Sequence, residues 1–531
     1  MAGSSRRPSC GWAEYTSRLT TARTVACFSL FAVAAVFTVV LAWAQPPAAP
    51  PTTPLGIFDD HADAGTVLHA GSAEFDAGTK TYTVSGSGEN MWATADAFHV
   101  VWKKVSGDVS LAADIRFPGE GGDPHRKAVL MVRQSLDADS AYADAALHGN
   151  GLTSLQARDA RSAATHEVQS NLTAPRRLRI EKRGRYVYMS VAGAGEALHF
   201  SGGSMRVALA EPYYIGIAVC AHNKDRVETA VFSNVELETV PTAGKRQLYS
   251  TLETITVAST DARAAHVAAG RIGSANWSRD GKSLVFNSQG RMQRVPVDGG
   301  KPETLDTGFA VHCNDGHGLS PDGNWLAISD ESRSRHRSAI YIVPAAGGAP
   351  RLVTKEPPAY FHGWSPDART LVFTAGRKGK LDIYSVASGG PTGGKVTQLT
   401  SAGANDGPEY SPDGKYIYFS SDRTGTMQIW RMQPDGSGQE PVTADEFGNG
   451  FPHISPDGRQ MAFLSYENGG AALAGNHDVM LRVMALGTNM GTNMGTRTIR
   501  LLARLVGGPG TFDAASWSPD SRRLAFVSYS E

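Results

Sequence analysis

The phrase Tyr410-Ser-Pro-Asp-Gly414 occurs six times, with small changes, in the C-terminal half of this chain and decides its fold. The other copies begin at Trp277, Leu319, Trp364, Ile454 and Trp517. Their serines lie at positions 278, 320, 365, 411, 455 and 518, so the first five copies are 42 to 46 residues apart and the last step is 63. A period near 44 residues indicates an array of small supersecondary units.

One repeat has the residue types of four short strands separated by turns. Pro412 and Asp413 favour a tight turn, and Gly414 can adopt the positive φ that such a turn needs. One strand-like segment leads into the phrase at Tyr410, and three more follow at 415–420, 427–432 and 441–443. Four strands in about 44 residues are typical of one blade of a β-propeller.

The two ends of the repeat region complement each other. The last phrase is followed by one strand-like segment, 523–528, whereas two such segments, 252–257 and 264–267, precede the first phrase. Because pairing them would satisfy open strand edges, the sequence predicts a six-bladed propeller over 249–531 whose sixth blade combines both ends. The duplicated Gly-Thr-Asn-Met at 487–495 predicts an exposed loop extension.

The six phrases, and especially the stretch from Asn405 to Phe419, resemble the TolB-like propellers with their WD-type "SPDG" repeat. The resemblance covers residues 249–531. The family's namesake works in the periplasm of Gram-negative bacteria, in an envelope system with a peptidoglycan-associated lipoprotein, but its N-terminal domain is α/β. The resemblance implies a non-catalytic binding or scaffold protein of the cell envelope, periplasmic or secreted, with a protein or glycan partner.

Composition agrees with a turn-rich, all-β protein, which we expect to be a monomer. The 531 residues include 51 Lys and Arg and 51 Asp and Glu, so no net charge favours nucleic acid as a partner. Charged residues make up 19%, and there are 58 glycines. Low charge with many glycines is typical of a folded protein with many turns rather than a disordered one.

Residues 1–44 have the pattern of a targeting segment. Arginines at 6, 7, 18 and 23 precede an apolar run at 25–43, and Ala42-Trp-Ala44 offers a cleavage site. The run is long for a signal peptide and just long enough to span a bilayer. A cleaved export signal, a retained membrane anchor and a buried core helix therefore remain alternatives. The Pro-rich residues 45–55 predict an extended linker.

Residues 56–240 form a separate region of predicted strands. Val109–Phe117 places alternate apolar residues on one face, and 177–182 with 186–191 reads as a hairpin. Many short strands predict a two-sheet sandwich that resembles the concanavalin- or laminin-G-like jelly rolls, many of which bind glycans. Residues 241–248 are the linker that follows. The glycan-binding candidates are Arg133, Tyr142, Asp144 and Asn150.

Cys220 and Cys313 lie in different predicted domains. We expect Cys220 to pack as a small core residue, while an interdomain disulfide is the alternative in an oxidising compartment.

The sequence lacks the usual signatures of a hydrolase. No Gly-x-Ser-x-Gly elbow and no His-Glu-x-x-His zinc motif occurs. We therefore expect no cofactor, and the chain is more consistent with a binding protein than with an enzyme.

Polar residues cluster just before four of the phrases, where they are expected to gather at one mouth of the propeller channel. They are His312, Asp315, His317, His362, Asp406, Glu409 and His453. Such a ring can bind a divalent metal, a peptide carboxylate or a sugar, or can act as the site of a polysaccharide-acting enzyme. The alternatives are that these side chains hold blades together by hydrogen bonds, or that apolar residues occlude the mouth.

Overall fold

The computed structural model describes residues 54–241, 246–334, 337–389, 394–467, 477–487 and 498–531. In these residues the regular structure is β, apart from one 3-10 turn at Pro509–Thr511. No helix among them has the length and apolar character needed to cross a bilayer. The predicted targeting segment and most of both the Pro-rich linker and the 487–495 duplication lie outside the described residues.

The N-terminal β region, residues 60–239, contributes to two large sheets and contains one separate two-stranded sheet. Its strands are β1 (Asp60–Ala64), β2 (Ser72–Asp76), β3 (Thr81–Gly88), β4 (Met91–Trp92), β5 (Ala95–Asp96), β6 (Phe98–Val105), β7 (Val109–Arg116), β8 (Lys127–Arg133), β9 (Tyr142–His148), β10 (Thr153–Arg158), β11 (His166–Gln169), β12 (Arg177–Arg183), β13 (Tyr186–Ala192), β14 (His199–Arg206), β15 (Tyr213–Cys220) and β16 (Asn223–Thr239). One sheet has the order β14-β13-β12-β7-β16-β3-β2, and the other begins β1-β6-β15-β8-β9-β10-β11. Apolar residues from both sheets, such as Leu111 and Leu130, share one core.

The repeat region, residues 249–530, contains five four-stranded antiparallel sheets. Its strands are β17 (Tyr249–Thr256), β18 (Asp261–Ala269), β19 (Ile272–Trp277), β20 (Ser283–Ser288), β21 (Arg291–Pro296), β22 (Glu303–Thr304), β23 (Cys313–Leu319), β24 (Trp325–Asp330), β25 (Ala339–Pro344), β26 (Arg351–Leu352), β27 (Ala359–Trp364), β28 (Thr370–Arg377), β29 (Lys380–Ala387), β30 (Thr397–Gln398), β31 (Asn405–Tyr410), β32 (Ile417–Ser421), β33 (Gln428–Met432), β34 (Glu440–Pro441), β35 (Gly448–Ile454), β36 (Gln460–Tyr466), β37 (His477–Ala485), β38 (Ile499–Gly507) and β39 (Arg523–Ser530). Each sheet takes four consecutive strands, from β19–β22 to β35–β38, which is the arrangement of propeller blades.

The repeated phrase is a turn that its own side chains close. Ser411 Oγ donates to Asp413 Oδ1 over 2.7 Å, and the backbone N–H of Gly414 donates to the Ser411 carbonyl over 2.8 Å. Gly414 has a φ of 71°, which glycine adopts without steric cost. At the corresponding position Ala368 and Ser521 have φ values of 58° and 60°, so two copies keep the turn without its preferred residue.

Strands from the two ends of the repeat region pair with each other. β39 runs antiparallel to β17 from Ser530 opposite Tyr249 to Arg523 opposite Thr256. β17 in turn pairs with β18, and before β39 only one bridge, Trp517 with Leu524, represents an innermost strand. Five complete four-stranded sheets are therefore present in the described residues, and the sixth blade stays a prediction.

The N-terminal β region and the repeat region are joined through a continuous sheet. β18 pairs in parallel with β11, which extends the second N-terminal sheet through β18 and β17 to β39. Arg206 of β14 reaches Glu467 with two contacts of 2.7 and 2.9 Å. Arg185 Nη2 donates to Asp478 Oδ2 over 2.5 Å. Backbone pairing and ion pairs thus fix one region against the other.

Candidate functional site

The innermost strand of each blade runs directly into the phrase, so equivalent positions on different blades face the channel at the same level. The position four residues before the phrase carries Gly273, Asp315, Tyr360, Asp406, Gly450 and, before the last phrase, Asp513. Three of these six positions are aspartate. The repeat geometry therefore gathers carboxylates that lie far apart in the sequence.

The three aspartates and Tyr360 line a cavity of about 370 Å³, called here the channel cavity. Its lining includes Asp315, Tyr360, His362, Asp406, Phe451 and Asp513. No lysine or arginine belongs to the described lining. The cavity is therefore acidic, with one histidine as its basic group.

His362 lies between two of the carboxylates. Its Nε2 is 3.2 Å from Asp406 Oδ1, and its Nδ1 is 3.2 Å from Asp513 Oδ1. Neither contact has the alignment of a hydrogen bond, although the residue is only 6% exposed. Burial by itself would lower the pKa of His362, but the charges of Asp513 and Asp406 outweigh it and raise the pKa to about 10. The ring is therefore an imidazolium at neutral pH.

The carboxylates of the channel cavity have different proton affinities. Burial would raise the pKa of Asp406, but the contact with His362 lowers it below its ordinary value. Burial and the neighbouring charge of Asp513 raise the pKa of Asp315 to about 6. Both carboxyl groups are mainly ionised at pH 7, but Asp315 gains its proton under mild acidity.

Two of the predicted histidines hold neighbouring blades together. His317 Nδ1 lies 2.7 Å from Asn276 Oδ1, and its Nε2 lies 3.0 Å from the Ser274 carbonyl. Burial lowers the pKa of His317 to about 4. His453 Nδ1 lies 2.5 Å from Glu409 Oε2, and its Nε2 lies 2.9 Å from a backbone carbonyl. These rings serve contacts between blades rather than the cavity.

The remaining predicted residues are placed elsewhere. His312 is exposed and is not among the residues lining the channel cavity. Glu409 lines a second opening of about 720 Å³, among the phrase turns, and His362 lines both openings. Of the seven predicted residues, the structure brings Asp315, His362 and Asp406 together. Bulges in the inner strands change which side chains face the axis, and the sequence pattern does not show them.

Asp513 was not among the residues predicted from the sequence. Its position could have identified it, because Asp513 lies four residues before the last phrase, as Asp406 and Asp315 lie four residues before theirs. The 63-residue step to the last phrase hid this equivalence.

The glycan-binding candidates do not form an open surface. Arg133, Tyr142 and Asp144 are 0% exposed, and Asn150 accepts a hydrogen bond from the Leu152 backbone in an exposed turn. Arg133 contacts Asp96 of β5, whose strand pair with β4 helps to bury these residues. Burial raises the pKa of Asp144 to about 8. A glycan does not reach the three buried side chains in this conformation.

Two other expectations concern metals and sulfur. Among the described residues, no group of three or more His, Cys, Asp or Glu side chains is placed to hold a metal ion. Cys220 and Cys313 are both buried and free, so the interdomain disulfide is absent, while Cys220 packs in the core beside β6 and β8.

Comparison with known proteins places the repeat region in a family. Residues 319–493 match the family model described as the TolB beta propeller domain. An uncharacterized protein of Agrobacterium fabrum is 45% identical over 257 residues, which are 48% of this chain and 83% of that protein. A solved structure from Agrobacterium tumefaciens that carries the name TolB is 41% identical, with a TM-score of 0.50, over 54% of this chain and all of that chain.

A more distant relative is named as a protein of the Tol-Pal system. The Tol-Pal system protein TolB of Francisella tularensis is 27% identical over 202 residues, which are 36% of this chain and 45% of that protein. The chain thus spans less than half the length of that relative. From the family model and the relative that is matched over most of its length, the chain belongs to the TolB-like β-propeller family.

Proposed function

We propose that this protein is an exported binding scaffold of the bacterial cell envelope that holds a protein partner at the channel cavity. The observation that carries the proposal is the cavity itself, where aspartates from separate repeats and a buried imidazolium are exposed to one space. Such convergence of polar groups in a concave site is typical of ligand recognition. The relatives named as Tol-Pal system proteins support an envelope partner.

The proposed architecture has three parts. Residues 1–44 are an export signal or a membrane anchor, with the folded part in the periplasm or outside the cell. Residues 56–240 are a two-sheet sandwich, supported by the core that its two sheets share. Residues 249–531 are a six-bladed propeller, in which β39, β17 and β18 supply three strands of the sixth blade and residues 512–517 take the innermost position.

The junction between the N-terminal β region and the repeat region suits a scaffold, because it keeps the two regions in a fixed relative orientation. A hinge between the regions would have to break the β11–β18 pairing and the part-buried Arg206–Glu467 ion pair at the same time. The sandwich therefore holds the propeller mouth at a fixed orientation. A partner bound at the mouth is held at a fixed position relative to the rest of the chain.

Photo-crosslinking tests the proposal. The full chain carries p-benzoylphenylalanine in place of Tyr360, which lines the channel cavity, or in place of Tyr410, which lines the second opening. Illumination in the producing bacterium is expected to give a discrete protein adduct from position 360 and none from position 410. No adduct from position 360, or the same adducts from both positions, would contradict the proposal. Release of reducing sugars from an envelope polysaccharide would support the alternative of an enzyme.

A further inference from the structure

The charges of the channel cavity do not balance. Asp315, Asp406 and Asp513 supply three carboxylates, whereas His362 is the one basic side chain of the described lining. His362 contacts Asp406 and Asp513, and Arg271 acts on Asp315 from outside the lining, so these two positive charges offset only part of the three negative ones. The space between them therefore favours a positive ligand.

The cavity is more than a cluster of acidic residues. His362 is only 6% exposed and lines the cavity, and its two ring nitrogens contact carboxylates without the alignment of a hydrogen bond. Asp513 Oδ1 is also buried without a hydrogen bond. Asp513 Oδ1 is an acceptor, and a buried acceptor without an aligned donor costs about 1–3 kcal/mol, which an N–H donor of a ligand can remove. The N–H groups of the His362 imidazolium are themselves donors, so they repel a cation and must stay directed at the two carboxylates.

Aromatic side chains complete the lining. Tyr360 and Phe451 contribute rings to a space of about 370 Å³, which suits one long side chain better than a folded domain. Guanidinium and ammonium groups bind both to carboxylates and to the faces of aromatic rings. A sugar or a carboxylate ligand would leave the excess negative charge unpaired.

We propose that the channel cavity binds a guanidinium or ammonium group carried by an arginine or lysine side chain of the partner protein. Asp406 and Asp513 accept hydrogen bonds from the cation, and Tyr360 and Phe451 pack against its apolar stem. The identity of the carrier as a protein rests on the proposed function, whereas the preference for an organic cation does not.

Calorimetric titration with small probes tests the preference. The full chain is titrated with Nα-acetyl-arginine amide, Nα-acetyl-lysine amide and Nα-acetyl-citrulline amide, the last being a neutral molecule with nearly the shape of the arginine probe. We expect a dissociation constant on the order of 1 mM for at least one cationic probe, and at least tenfold weaker binding of citrulline. Equal binding of citrulline and arginine, or no binding of either cation at 10-fold higher concentration, about 10 mM, overturns the inference.

Variants locate the binding. Asp406→Asn and Asp513→Asn are each expected to weaken the cationic probe at least fivefold, and either one decides the matter if the other does not fold. Asp298→Asn is the control, since Asp298 is a surface carboxylate with a 78% exposed side chain and should leave binding unchanged. If the control variant and the cavity variants lose affinity for the probe equally, the effect comes from the net charge of the protein, and the proposed site is refuted.

The two proposals fail separately. If the arginine or lysine probe binds but position 360 gives no protein adduct, the cation site stands and the protein partner is refuted. If the adduct forms equally in the wild-type chain and in the Asp406→Asn and Asp513→Asn variants, the partner stands and the cation inference is refuted.

Discussion

Glu253 is a buried acid whose removal should stabilise the protein. It lies on β17, opposite Phe526 of β39, and is 4% exposed. Its Oε1 accepts a hydrogen bond from Ser528 over 2.5 Å. Burial raises the pKa of Glu253 from an ordinary value of 4.5 to about 8, although the hydrogen bond from Ser528 opposes the shift. The two strands that join the ends of the repeat region thus carry an acid that is protonated when folded.

The sign of the pH effect follows from this raised pKa. Between pH 4.5 and 8 the folded state holds a proton that the unfolded state has released, so the free energy of unfolding falls as pH rises. Each pH unit costs about 1.4 kcal/mol, which gives an upper limit of about 3 kcal/mol at pH 7 and about 5 kcal/mol above pH 8. Residual burial in the unfolded chain reduces both values.

Glu253→Gln keeps the acceptor for Ser528 and removes the ionisable group. We expect urea midpoints of the variant to exceed those of the wild-type chain by an amount that grows from pH 5 to pH 8. Glu238→Gln, on an exposed position of β16, should show no such growth. A Glu253→Gln effect that is constant across this range, or a loss of stability at pH 8, would refute the account of a buried neutral carboxyl.

Three further predictions concern the blades and the cavity. Glu409→Ala should lower the free energy of unfolding by about 2–4 kcal/mol, because His453 and the Ile454 backbone N–H lose their acceptor, and urea denaturation beside the milder Glu409→Gln checks this. Ala368→Gly should raise it by about 1 kcal/mol, because the φ of 58° suits glycine, and an unchanged urea midpoint would contradict that reason. Binding of the arginine probe should weaken as pH falls through about 6, where Asp315 becomes protonated, and calorimetry that shows equal affinity at pH 5 and pH 8 would exclude this role.

Local features of the fold could be predicted from the sequence. The turn at Ser411–Gly414 depends on contacts within five residues, and the structure contains the hydrogen bonds that these residue types favour. The period of the phrase then gave the number of complete blades that follow one another along the chain. Both signals are short-range or periodic, which is why one sequence suffices to read them.

Contacts between distant segments could not be predicted in this way. β11 and β18 pair although they are about 95 residues apart, and the alternation of apolar and polar residues in either strand does not indicate which strand it pairs with. Asp144 and Arg133 have the composition of a binding face, but other parts of the N-terminal β region cover them. Burial depends on what packs over a strand, whereas the sequence of the strand shows only what its two faces contain.

The charge of the channel cavity depends on the residues in which the repeats differ. The residues that the repeats share determine only where those side chains are placed. An aspartate four residues before each of the six phrases would bring many like charges close together, at a cost that a single imidazolium could not offset. Gly273 at that position leaves room for a neighbour, since a Cβ there would lie 1.9 Å from Asp315 Oδ1. Glycine on one blade is therefore part of what allows the carboxylate of the next blade to reach the cavity. The ligand preference of such a propeller is set by which residue each blade places at this one position.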